Sequence, residues 1–130
     1  MTLTPNVPHS HFELEFRRHP KIICDGFANE RNTNLTGKRK QLENAYADFL
    51  DCFDFLNTAT RYPFRSSLNK KWGTTDRLLG IVESYCGRPI HHGALLLALH
   101  YLSFYIEQVP EKKCAHVSIS SAQKFPSVRS

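Results

Sequence analysis

A chain of 130 residues, 41% hydrophobic and 12% aromatic, can bury roughly two-thirds of its unfolded surface, enough for one core without metal or disulfide staples. That composition excludes low-hydrophobicity disorder. The net charge of +5 tilts the choice of partner towards nucleic acid, an anionic membrane surface or an acidic protein, although the same charge also serves solubility in a small domain.

Residues 1–10, with Pro5 and Pro8, carry no periodicity and read as a loose lead-in. The segment MTLTPNVPHSHFE lacks the apolar stretch of a secretory signal. A cytoplasmic protein is therefore expected, with Cys24, Cys52, Cys86 and Cys114 as buried free thiols; there is no C-x-x-C pair among them. Phe12-Glu13-Leu14-Glu15-Phe16-Arg17 alternates apolar and charged residues, which predicts a half-buried strand. Lys21 to Cys24 predicts a second strand, and Asp25-Gly26 a turn, so the N-terminal part is expected to be a hairpin.

Asn29 to Gly37 is polar and turn-rich, a predicted loop. A long helix is predicted from Lys38 to Thr58. Its residues Leu42, Tyr46, Phe49, Phe53 and Leu56 step by alternate fours and threes along one face. The 16 residues from Ala59 to Thr74 show no period and form a linker long enough to suggest function. A second helix is expected over Thr75 to Cys86, capped by Thr74 or Thr75 and stopped by Gly87 and Pro89. The third, Ile90 to Leu102, is apolar almost all round and predicts the buried axis of the fold. Its apolar run, Gly93 to Ile106, is 14 residues, short of the roughly 20 that span a bilayer, so no membrane association is expected. Beyond Ser103 the pattern changes to that of a strand. Phe104–Val109 and Ala115–Ile119 predict a second hairpin, and residues 121–130 a polar tail.

The expected fold is therefore a single α+β domain over residues 1–130 in the order ββαααββ. Both hairpins join one antiparallel sheet, with three helices packed on it. A winged-helix-like arrangement of residues 75–120 is the alternative. It suffers because a recognition helix needs side chains that reach base edges, whereas the third helix offers little beyond His91, His92 and His100.

Four groups of residues carry candidate functions. Arg61, Arg65, Lys70 and Lys71 alternate with Tyr62, Phe64 and Trp72 in the linker. Cations for phosphates beside rings for bases make a sequence-tolerant nucleic-acid surface. Lys38, Arg39 and Lys40, placed against the helix dipole, and Lys112 and Lys113 at the second hairpin's turn extend that set. Arg17, Arg18 and Lys21 are further cations that can join the same patch. Tyr46, Phe49, Phe53 and Phe55 give the long helix more aromatic surface than one stripe requires. The alternative reading is thus a protein-interaction module, a small inhibitor or adaptor, with self-association through this face. Cys86, His91 and His92 are potential metal ligands, but their spacing fits no established site, and neither metal nor cofactor is expected. With no nucleophile elbow, phosphate loop or H-E-x-x-H, the expected function is that of a small non-enzymatic accessory or regulatory factor that binds nucleic acid.

Overall fold

The computed structural model describes residues 7–28 and 35–126. It is dominated by helices, in the order α1 (His9–Arg18), β1 (Ile22–Ile23), β2 (Gly26–Phe27), α2 (Leu35–Glu43), α3 (Tyr46–Leu56), α4 (Thr75–Cys86), α5 (His92–Tyr101), β3 (Ile106–Gln108) and β4 (Ala115–Val117). The expected ββαααββ order is overturned, because the described residues form five helices and two separate two-stranded antiparallel sheets.

The first correction lies at the N-terminus. Phe12 and Phe16 are two residues from Leu14 on either side, as a strand requires, but they are also four apart, as a helix requires. The helix buries Phe12, Glu15 and Phe16 and leaves Leu14 48% exposed. Local pairs that close only on a helix favour that outcome. His9 lies 3.2 Å from Glu13, and Glu15 lies 3.4 Å from Arg18 and 3.3 Å from His19. The first hairpin is instead β1 with β2, in register Ile22 to Phe27 and Ile23 to Gly26.

The second correction splits the long helix. The chain leaves helical geometry at Ala45 (φ −99°, ψ 33°), separating α2 from α3. Leu42 and Phe49 stay fully buried on either side of the break. Of the loop expected at Asn29 to Gly37, residues 29–34 lie outside the described residues, and Leu35–Gly37 form the first turn of α2.

α4 carries the caps its sequence implies. Thr74 accepts a hydrogen bond from the Asp76 amide, and Gly87 ends the helix at φ 72°. α5 is the axis of the molecule, with every residue from His92 to Leu99 buried, and it touches α1, α3, α4, β1 and β2. That burial removes the winged-helix alternative, since α5 has no face to offer a groove. Ser103, at φ 66°, turns the chain out of α5. β3 and β4 then pair Ile106 with Val117, Glu107 with His116 and Gln108 with Ala115.

The expected loose ends take part in the fold where they are described. Val7 is buried, His9 and Ser10 belong to α1, and the Phe125 ring stacks on Phe55 at 5.1 Å. No described helix is long and apolar enough to cross a membrane.

Candidate nucleic-acid interface

The linker between α3 and α4 owes its shape to three anchors. The Tyr62 carbonyl accepts from the Tyr105 amide at 3.3 Å and also from the Ser118 hydroxyl. Asn69 donates through Nδ2 to the Ile119 carbonyl at 3.0 Å, while its Oδ1 accepts from the Trp72 amide at 3.2 Å. Trp72, 8% exposed, meets Phe125 edge-on and lies under the Arg77 guanidinium at 4.6 Å. The lone tryptophan therefore holds the linker down and is not available for stacking on a ligand.

Between these anchors a single 3-10 turn, Arg65–Ser67, projects outward. It brings Arg65, Lys70 and Lys71 to one open cleft of about 510 Å³ with Asn69 and Glu107. Arg65 reaches Glu107 at 3.8 Å, but its side chain is 81% exposed, so the pair binds it weakly and leaves it free to exchange partners. Phe64, next to Arg65, is 65% exposed, the most exposed large apolar side chain among the described residues. Glu107 also lines an adjoining cleft of about 490 Å³, whose rim adds Arg18 and Lys21. Cations from two distant segments thus flank β3 on both sides of one carboxylate.

The other predicted cations are dispersed. Arg61 donates to Asn57 one turn back at 2.8 Å, and Lys40 and Lys112 are exposed on other elements. Lys38 and Lys113 lie 2.6 and 3.6 Å from the same Asp25 oxygen, which offsets part of their charge. The Lys38 ammonium holds the Asp25 carboxyl below its ordinary range, against the opposing effect of burial. Arg39 faces inward. It donates to the carbonyls of Phe16, His19 and Ile22 at 3.0, 3.1 and 2.8 Å and stacks 3.6 Å over the Phe16 ring. It is thereby removed from the set of phosphate contacts.

The aromatic face proposed for a protein partner is mostly interior. Phe49 and Phe55 are buried, Phe55 between the rings of Tyr85 and Phe125. Tyr46 donates to the Val7 carbonyl and Phe53 meets Tyr101 edge-on. Phe55 is thus covered by α4 and the C-terminal segment, while Tyr46, Phe49 and Phe53 pack against α1 and α5.

A third cleft, of about 450 Å³, is lined by Cys24, Asp25, His91, His92 and Lys113. Asp48 fixes His91 through its ring Nδ1 at 2.7 Å and its amide at 2.8 Å, and takes Arg88 at 2.6 Å on its other oxygen. Burial pushes the Asp48 carboxyl up, but these donors outweigh it and hold it below the usual range. The Cys24 thiol is not primed as a nucleophile. It donates to Gln41 at 3.1 Å, and burial together with neighbouring Asp25 pushes its pKa up, so the thiolate is disfavoured. His92 is buried and shares a hydrogen bond of 2.7 Å with Thr75. Among the described residues no group of three or more His, Cys, Asp or Glu side chains is placed to hold a metal ion, and Cys86 does not line this cleft.

The pairing of Asp48 with His91 joins residues 43 apart, as Glu107 joins the two basic segments, and no local pattern announces either. Fold and site together define a small, helix-rich domain with a cationic cleft along one edge of a two-stranded ribbon. Comparison of the chain with protein-family models, curated proteins and solved structures finds no match.

Proposed function

We propose that the chain is a small, non-enzymatic, nucleic-acid-binding accessory or regulatory factor, and that the strand it prefers is single. The observation that carries this reading is the convergence of Arg65, Lys70 and Lys71 on one cleft beside the exposed Phe64 ring. Cations take phosphates, and a largely exposed ring stacks on an unpaired base; a duplex keeps its bases out of reach. The reading places the protein in the cytoplasm, where its four thiols, none engaged in a disulfide, suit a reducing compartment.

Titration of fluorescent single-stranded and duplex oligonucleotides at several salt concentrations tests it. Three phosphate contacts predict a slope of log K against log salt of about −2 for a single strand. Phe64→Ala is expected to weaken single-strand binding by about 1–3 kcal/mol and to leave duplex binding nearly unchanged. Binding without a salt slope, or an equal loss on both substrates, rules the reading out.

A further inference from the structure

The second cleft that Glu107 borders differs in character from the first. Its walls are largely apolar, formed by Ile22, Phe27 and Ile106 together with the imidazoles of His19 and His100. Those two rings stack face to face at 3.8 Å with 12° between their planes, which holds both imidazoles fixed in the cleft wall. Burial, and secondarily His19, pushes His100 down to about 4, which keeps that ring uncharged at neutral pH. The volume of about 490 Å³ lies within the roughly 300–1,000 Å³ of small-molecule sites. Arg18, Lys21, Glu107 and Gln108 also line the cleft and supply its charged and amide groups.

Largely apolar walls, two cations and a border shared through Glu107 with the Arg65–Lys70–Lys71 cleft fit one occupant. We propose that this cleft takes one unstacked base of the strand bound along Arg65, Lys70 and Lys71, and that Glu107 selects guanine. The proposal rests on the single-strand reading given above. Arg18 and Lys21 line this cleft while Lys70 and Lys71 line its neighbour, so each pair offers cations to one of the two flanking phosphates.

The choice of base follows from the chemistry of the carboxylate. An ionised carboxylate only accepts hydrogen bonds. Guanine alone presents two adjacent donors, N1–H and the N2 amino group, on its Watson–Crick edge. Adenine and cytosine set their amino group beside a ring nitrogen lone pair, which repels the carboxylate. Thymine and uracil flank their single N–H with carbonyls. Glu107 is 38% exposed at the cleft border and pairs only loosely with Arg65, so a base edge can take that place.

Fluorescence anisotropy with the full chain and short single strands tests this. The strands are an oligothymidine and the same strand with one central guanine, adenine, cytosine or hypoxanthine. The guanine strand is expected to bind about tenfold more tightly than the oligothymidine, as one bidentate base contact allows. Hypoxanthine, lacking the N2 amino group, is expected to lose most of that gain. Glu107→Gln, nearly isosteric, also frees Arg65 from its carboxylate, so the variant is judged on the ratio of its own affinities, and its guanine strand is expected to bind no more tightly than its oligothymidine. Equal affinity for all strands overturns the base site and leaves strand binding standing. A guanine preference that survives Glu107→Gln overturns the role given to Glu107. Absence of binding to every strand at low salt overturns the strand-binding reading and the base site with it.

Discussion

His100 is a largely buried titratable group near the end of the mostly apolar α5, and its surroundings fix the sign of a pH effect. Burial and the stacked His19 ring depress its folded pKa from 6.5 to about 4. Above pH 6.5 the residue is neutral in both the folded and the unfolded chain and adds no slope. Between pH 6.5 and about 4 the unfolded chain takes up a proton that the folded one refuses, so stability falls as pH falls. The loss over that interval reaches about 3 kcal/mol at most. Asp25 and Asp48, held below the ordinary carboxylate value of 3.8, add their own loss only at more acid pH. His92, depressed by burial, shares the sign of His100. Urea midpoints measured from pH 7.5 to 4.5 are therefore expected to decline for the wild type and to decline less for His100→Leu. An identical slope in the variant shows that His100 is not the group responsible. Arg39 teaches a different lesson at the same scale. Within Lys38-Arg39-Lys40 it looks like one more surface cation, yet its fork satisfies three carbonyls around the end of α1 and β1. Only arginine has the planar set of donors for that arrangement, and the sequence offers no sign of which of three neighbouring cations turns inward.

At the scale of elements, the docking of α5 on β1 depends on Gly93. A Cβ there would lie 2.0 Å from the Ile23 carbonyl oxygen and 3.1 Å from Leu42 Cδ1. The Gly93 amide also donates to the Cys24 carbonyl at 3.1 Å. Gly93→Ala must push the helix from the strand. A gain of about 1 kcal/mol in helix propensity does not offset that displacement, and a net loss of about 2 kcal/mol or more is expected in chemical denaturation. A variant as stable as the wild type disproves the close approach. Gly26 makes the same kind of contact between the two hairpins. At φ 126°, its Cβ would sit 2.4 Å from the Lys113 carbonyl, and the Phe27 amide donates to that same oxygen at 2.9 Å. Such approaches join segments far apart in sequence, which is why the chain's own pattern shows the glycines but not what they touch. Legibility was best where caps and period agree, as in α4 with Thr74 and Gly87 and in the buried α5. It failed at Phe12–Arg17, where the spacing of the two phenylalanines satisfies strand and helix alike, while the contacts of Glu13 with His9 and of Glu15 with Arg18 and His19 close only on the helix. It failed again at Ala45, because the stripe from Leu42 to Leu56 continues through a break that local periodicity does not register. The basic linker was visible as a cluster; its convergence with Arg18 and Lys21 across Glu107 depends on how α1 and β3 pack.

For the whole molecule, net charge alone does not separate a binding face from ordinary solubility. The cations fall into two sets with different fates. Lys38 and Lys113 share Asp25, whereas Lys70 and Lys71 share an open cleft with Arg65 and a single carboxylate. Two double variants that remove the same charge therefore distinguish site from sum. Lys70→Gln with Lys71→Gln removes two proposed phosphate contacts, so the slope of log K against log salt is expected to become shallower by about 1.4 and the affinity to drop at low salt. Lys38→Gln with Lys113→Gln lowers the net charge equally but touches no proposed contact. At physiological salt, charges more than about 8 Å apart are largely screened, so its slope is expected to match the wild type. Each protein is compared at equal folded fraction, checked by circular dichroism. Equal losses from the two variants mean that binding follows total charge and has no address on the surface. A loss confined to the Lys70 and Lys71 variant ties binding to the cleft that these lysines line with Arg65 and Glu107, so that affinity follows where the cations stand and not how many there are.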